Sequence, residues 1–190
     1  MEAFLLATGL VALAEIGDKT QLLAFMLAAR YHKPRPIILG ILAATLINHA
    51  LAAALGNALT SLVAPDTLRY LLAASFIAMG VWVLIPDKLD DDGLASHSHW
   101  GVFTTTLIAF FLAEMGDKTQ IATVALSAAH RDAFIAIVSG TTLGMMLANV
   151  PAVLLSRRLM ARLPVRTIHI AAAALFIILG GATLLLPQSL

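Results

Sequence analysis

The sequence predicts an all-α membrane protein of six transmembrane helices, built as two inverted three-helix repeats. Three observations carry this prediction. First, 60% of the 190 residues are hydrophobic and only 12% charged, against about 25% charged in an ordinary soluble domain. A soluble fold of this size has no interior able to hide that surface. Second, the apolar residues gather into runs of about 20, the length that crosses a bilayer. Third, Glu15-Ile-Gly-Asp-Lys-Thr-Gln21 recurs 99 residues later as Glu114-Met-Gly-Asp-Lys-Thr-Gln120.

Six spans follow in order. The first, 3–29, resembles a signal peptide in length, but it carries Glu2 in place of a basic start and contains Glu15, Asp18 and Lys19, so it is read as a retained helix. The polar and proline-marked stretch from Arg30 to Pro36 separates it from the second span, 36–63. Ala64 to Asp66 breaks the chain before the third, 67–86, and the acidic segment from Pro86 to Trp100 before the fourth, 101–128. His130 to Asp132 precedes the fifth, 133–155, and Ser156 to Arg166 precedes the sixth, 167–187.

The internal similarity extends beyond the motif. At an offset of 100, Gly40 matches Gly140, and Phe76, Ile77 and Gly80 match Phe176, Ile177 and Gly180; Asn48 pairs with Asn149 at an offset of 101. The expected organisation is therefore a first repeat over 1–86, a cytoplasmic acidic linker over 87–100 and a second repeat over 101–190. Three crossings per half force the second half to enter the membrane the opposite way, and repeats of this kind place substrate near the midplane. The basic residues set the orientation. Arg30, Lys33, Arg35, Lys88, Arg157, Arg158, Arg162 and Arg166 fall on one side, with only Arg69 and Arg131 on the other. That bias puts the linker in the cytoplasm and both termini outside, in the periplasm for a bacterial inner-membrane protein.

Composition also excludes whole classes of function. There is no cysteine, so oxygen and imidazole are the remaining metal ligands, and the net charge of +1 gives no signal of nucleic-acid binding. No Gly-rich phosphate loop is present to couple transport to a nucleotide. Nothing in the pattern specifies an oligomeric state.

The motif carries the chemistry. An ionisable side chain at membrane depth costs at least about 2.5 kcal/mol and marks a transport, proton-relay or ion-binding site. On a continuous helix, residues three apart share a face, so Glu15 with Asp18, and Glu114 with Asp117, present paired oxygens toward one point. Gly17 and Gly116 allow close helix approach or a local break that frees backbone carbonyls. Thr20, Gln21, Thr119 and Gln120 add neutral oxygens as possible further ligands. Such a site suits hard divalent cations such as Ca2+, Mn2+ or Mg2+. Four acids and the counter-charges Lys19 and Lys118 sum to a formal −2, which one divalent ion neutralises. Without metal, adjacent carboxylates in a low-dielectric site cannot all stay ionised, so metal and protons compete for the same oxygens. That competition is the minimal mechanism of a cation/proton antiporter.

Two copies of this motif in a six-span chain of this length resemble the family of Golgi-type calcium and manganese/proton antiporters, whose small bacterial members include manganese exporters. The resemblance covers nearly the whole chain. It implies exchange of Ca2+ or Mn2+ for protons, with Glu15, Asp18, Glu114 and Asp117 as the cation site.

Plainer readings stand beside these. The acids have lysine partners four residues on in each motif, and Thr20 and Thr119 have backbone carbonyls to bond. Asn48, His49 and Asn149 lie inside spans, where interhelical hydrogen bonding is the common use of such residues, and His49 has no counterpart in the second half. Asp90-Asp91-Asp92, His97 and His99 read as a solvated loop or a metal-gathering one. The expected function is export of a divalent cation, Mn2+ first and Ca2+ second, against inward protons, with the cation as substrate and no cofactor. The alternative is a proton-coupled exporter of a small organic solute such as an amino acid. An intramembrane metalloenzyme is disfavoured because no histidine cluster lies at membrane depth, so the chain is read as a transporter, not an enzyme.

Overall fold

The computed structural model describes residues 1–85, 101–155 and 164–185. The acidic linker with its aspartates and histidines, and the basic residues Lys88, Arg157, Arg158 and Arg162, lie outside the described residues. Among those described, every regular element is helical: α1 (Glu2–Glu15), α2 (Lys19–Tyr31), α3 (Pro34–Leu62), α4 (Pro65–Trp82), α5 (Val102–Glu114), α6 (Lys118–Ala129), α7 (Phe134–Leu154) and α8 (Val165–Leu185). A short 3-10 turn, Arg131–Ala133, leads into α7.

Two of the expected spans are not continuous helices. The runs 3–29 and 101–128 are each divided at the motif, into α1 and α2 and into α5 and α6. The cause is local. Ile16 and Met115 leave the helix in extended conformation, and Gly17 and Gly116 adopt φ of +87° and +73°, a left-handed region that only glycine enters without strain. Asp18 and Asp117 then begin α2 and α6 as N-caps. Hydropathy does not register the break, because a window the length of a span averages the few polar motif residues with the apolar runs beyond them. Elsewhere prolines mark helix starts, with Pro34 and Pro65 each opening the first turn of a helix.

The region 34–62, the region 131–154 and α8 are long and apolar enough to cross a membrane, and α5 is a shorter apolar helix. Large apolar side chains face outward along them, among them Leu39, Leu51 and Leu55 on α3, Leu143 and Leu147 on α7, and Ile178 on α8. In water such a surface is an aggregation liability; in a bilayer it is the solvent-matched face. The chain is an integral membrane protein.

The two halves interlock. Helix α1 packs on α7 as α5 packs on α3, and α4 packs on α8. Glycines make these approaches close. A Cβ at Gly40 would stand 2.8 Å from Thr106 Cβ, and one at Gly140 would stand 3.1 Å from Ala7 Cβ, a matching contact displaced by one repeat. Gly80 and Gly180 likewise face Ile177 and Ile77 across the α4–α8 crossing. Two apolar clusters result. One joins α1, α4, α6 and α8 through Leu10, Phe76, Leu126 and Phe176; the other joins α2, α3, α5 and α7 through Leu27, Ile41, Phe110 and Val153. Helices α4 and α8 contribute to the first cluster alone.

Candidate metal site between the two motifs

Breaking each span at the motif turns four helix ends toward one region. Glu15 is the last residue of α1 and Asp18 the N-cap of α2; Glu114 and Asp117 hold the same places on α5 and α6. The expected shared helix face of residues three apart is therefore absent, since no helix runs through either pair. Convergence comes from the turn, where Asp18 N–H donates to Glu15 O and Asp117 N–H to Glu114 O, each at 3.1 Å. Neither aspartate caps its own helix with its side chain. Both carboxylates are committed elsewhere.

Each turns to the lysine of the other motif. Lys118 Nζ lies 2.8 Å from Asp18 Oδ1, and Lys19 Nζ lies 3.5 Å from Asp117 Oδ1. The two pairs are unequal, because the Lys118 side chain is buried while that of Lys19 is 26% exposed. Within-motif pairing of glutamate with the lysine four residues on fails for the same reason as the shared face. Glu15, Glu114 and Asp117 are all buried, and each places a carboxylate oxygen within 4.8 Å of the others. Three acids drawn from both halves thus surround one point, with Asp18 beside them on Lys118.

The polar neighbours divide into two groups. Gln21 Oε1 accepts from Gly17 N–H at 2.9 Å while its Nε2 donates to Ala148 O, and Gln120 Oε1 accepts from Gly116 N–H at 2.7 Å. These glutamines satisfy backbone exposed by the break, as a chain at membrane depth requires. Thr119 Oγ1 leans on Asp117 Oδ2 at 3.5 Å, whereas Thr20 Oγ1 has no hydrogen-bond partner among the described residues. Asn48 Nδ2 donates to Phe111 O on α5, and Asn149 Nδ2 to Met145 O on its own helix, both at 3.1 Å. Each asparagine therefore keeps Oδ1 buried and unpartnered. Thr45 and Thr142, which the sequence reading passes over, are buried with free hydroxyls on α3 and α7. Thr45 sits one turn before Asn48 and His49, so polar residues at i, i+3 and i+4 of an apolar run are the signal that could have found it. His49 itself is fully buried, with Nε2 3.9 Å from Glu114 Oε2.

Beside the first break lies a cavity of about 600 Å3 lined by Gly17, Leu84, Val165, Arg166, His169 and Ile170. His169 Nε2 donates to Ile16 O across it at 2.6 Å, tying the start of α8 to the motif.

The site can offer several oxygens to a hard cation while two lysines hold part of the negative charge. Comparison with known proteins matches this chain to a family described as "Divalent cation/proton antiporter GDT1", over residues 3–91 and again over 102–189. A Vibrio cholerae protein named "Putative manganese exporter" is 53% identical over 173 residues, covering 91% of this chain and 86% of its own. "GDT1-like protein 5" of Arabidopsis thaliana is 26% identical, covering 98% and 97% of the two chains. "GDT1-like protein sll0615" of Synechocystis is also 26% identical, covering 93% of each. No solved structure matches the chain.

Proposed function

Since this chain belongs to the divalent cation/proton antiporter family GDT1, we propose that it exports Mn2+ from the cytoplasm in exchange for protons, through one site built from both motifs. The observation that carries this reading is the meeting of Glu15, Glu114 and Asp117, buried and within 4.8 Å of one another although 99 and more residues separate the two motifs. Asp18 completes the set of four acids once Lys118 yields it. Thr20, Thr119, Asn48 and Asn149 supply neutral oxygens around them. Lys19 and Lys118 are counter-charges, since an ammonium has no lone pair to give a metal. The cation is substrate, and no resident cofactor is required. Ca2+ is the second candidate on oxygen ligands alone; the name of the Vibrio relative favours Mn2+.

The proposed architecture is six spans in two inverted repeats over 1–86 and 101–190, joined by a cytoplasmic linker, with α1 plus α2 and α5 plus α6 each forming one broken span. The matching glycine contacts and the doubled family match support it. With both termini outside, α1 and α6 occupy the outer half and α2 and α5 the inner half. The two outer basic residues then serve as helix caps: Arg69 donates to the carbonyls of Thr183 and Leu184, and Arg131 to that of Thr60. Helices α4 and α8 lean on the outer-half helices, and the cavity at Gly17 lies toward the inner side. Both features support an inward-facing arrangement with the acids themselves buried, from which alternating access delivers the ion outward.

Proteoliposomes with an imposed pH gradient test the proposal. Proton-driven Mn2+ flux that disappears in Glu15→Gln is the expected result. Efflux of an amino acid with no cation flux, from folded protein, would replace it with solute export.

A further inference from the structure

Within that reading, on which this inference rests, one buried group breaks the symmetry of the site. His49 has no matching histidine in the second half: alignment on Gly40 and Gly140 sets Asn149 opposite it, and alignment on Asn48 and Asn149 sets Val150. The ring is fully buried, and among the described residues neither of its nitrogens has a hydrogen-bond partner. An imidazole buried without a partner is costly to retain, and a structural histidine ordinarily bonds a carbonyl, as His169 does to Ile16. His49 Nε2 instead stands 3.9 Å from Glu114 Oε2, too far for a hydrogen bond. Two donors each about 2.0–2.6 Å from one ion stand roughly 3–5 Å apart, so the gap matches that of two ligands sharing a cation. Asn48, one residue away in sequence, and Asn149 on α7 likewise keep a buried oxygen with no hydrogen-bond partner among the described residues.

We propose that His49 is a ligand of the transported cation, supplying the one nitrogen in an otherwise all-oxygen site and so setting its preference for Mn2+ over Ca2+ and Mg2+. The chemistry follows from ligand type. Ca2+ and Mg2+ take oxygen donors almost exclusively, and an imidazole in the shell weakens their binding relative to a first-row transition metal. The surrounding carboxylates keep the site hard enough for Mn2+, the least demanding of those metals for nitrogen. Selectivity then rests on a residue outside the repeated motif, while the motif acids provide charge to any divalent ion.

The test uses the full-length protein in proteoliposomes with Mn2+ and Ca2+ in competition. His49→Gln, which offers an oxygen at a similar reach, is expected to retain proton-coupled exchange and to lower the Mn2+ over Ca2+ preference by at least about tenfold, since even an outer-shell partner of a metal ligand is worth about 10–100-fold in affinity. Glu15→Gln is expected to abolish flux of both ions. An unchanged preference in an active His49→Gln protein, or equal loss of both ions, overturns the role of His49. Intact flux in Glu15→Gln overturns the acidic site instead, so the two failures are told apart. A second measurement needs no variant: electron spin-echo modulation of Mn2+ bound to wild type should show a directly coordinated nitrogen that changes on labelling with 15N-histidine. A nitrogen-free shell overturns the proposal.

Discussion

Lys118 reaches across the molecule to Asp18, Nζ to Oδ1 at 2.8 Å, so the lysine of the second motif holds the aspartate of the first. The reciprocal pair, Lys19 with Asp117, is longer and partly open to solvent. The repeated motif thus builds two halves of one charge network that are alike in composition and unlike in strength.

This inequality predicts different costs for the two aspartates. Removing one member of a buried pair leaves its partner's charge poorly compensated, at about 3–5 kcal/mol, whereas a partly exposed pair contributes about 1 kcal/mol or less. We expect Asp18→Asn to lower the thermal midpoint in detergent well below that of Asp117→Asn, with Mn2+ flux lost in both. Equal midpoints would refute the asymmetry.

The two motif glycines are also predicted to differ. Both have positive φ, so alanine at either meets left-handed strain of about 1–2 kcal/mol. At Gly17 the added methyl also strikes the Val165 side chain, while at Gly116 no described residue stands within 4 Å. Gly17→Ala should therefore be the less stable protein, and Val165→Ala should recover part of that loss but none in Gly116→Ala. A double-mutant cycle on thermal midpoints measures the coupling.

Access to the cavity at Gly17 is testable by thiol labelling, since the chain contains no cysteine to confuse it. We expect Ile170→Cys, on the cavity wall, to react with an impermeant reagent from the cytoplasmic side, and Mn2+ with a pH gradient to slow that reaction. Labelling from the outside alone would invert the assigned orientation.

Arg69 gives a control outside the site. Its guanidinium bonds the last carbonyls of α8, a cap rather than a transport element. Arg69→Met should cost about 1 kcal/mol in stability and leave the selectivity of transport unchanged. A shift in the Mn2+ to Ca2+ preference would contradict this.

Much of the protein was legible in its residues. The acids of the site, Glu15, Glu114 and Asp117, stand out because carboxylates inside apolar runs are costly, and the doubling of the motif announces two related halves. Lysine as counter-charge followed from its lack of a lone pair. The break at each motif was harder to see: glycine permits a positive φ without requiring it, and hydropathy averages over three residues. With the break unseen, Glu15 and Asp18 looked like neighbours on one helix face. Gln21 and Gln120 read as possible further ligands, and only the structure shows that their oxygens accept from the glycine N–H groups that the break exposes.

The sequence by itself determined the solvent, the repeat and the acidic charge, because burial cost and periodicity are properties of the residues in order. The tertiary structure decided which lysine meets which aspartate, why three acids stand together, and that His49 borders Glu114. Those relations join residues as many as 102 positions apart, and their distances are set by how α1 packs on α7 and α5 on α3. No local pattern encodes the angle at which two halves of a chain interlock.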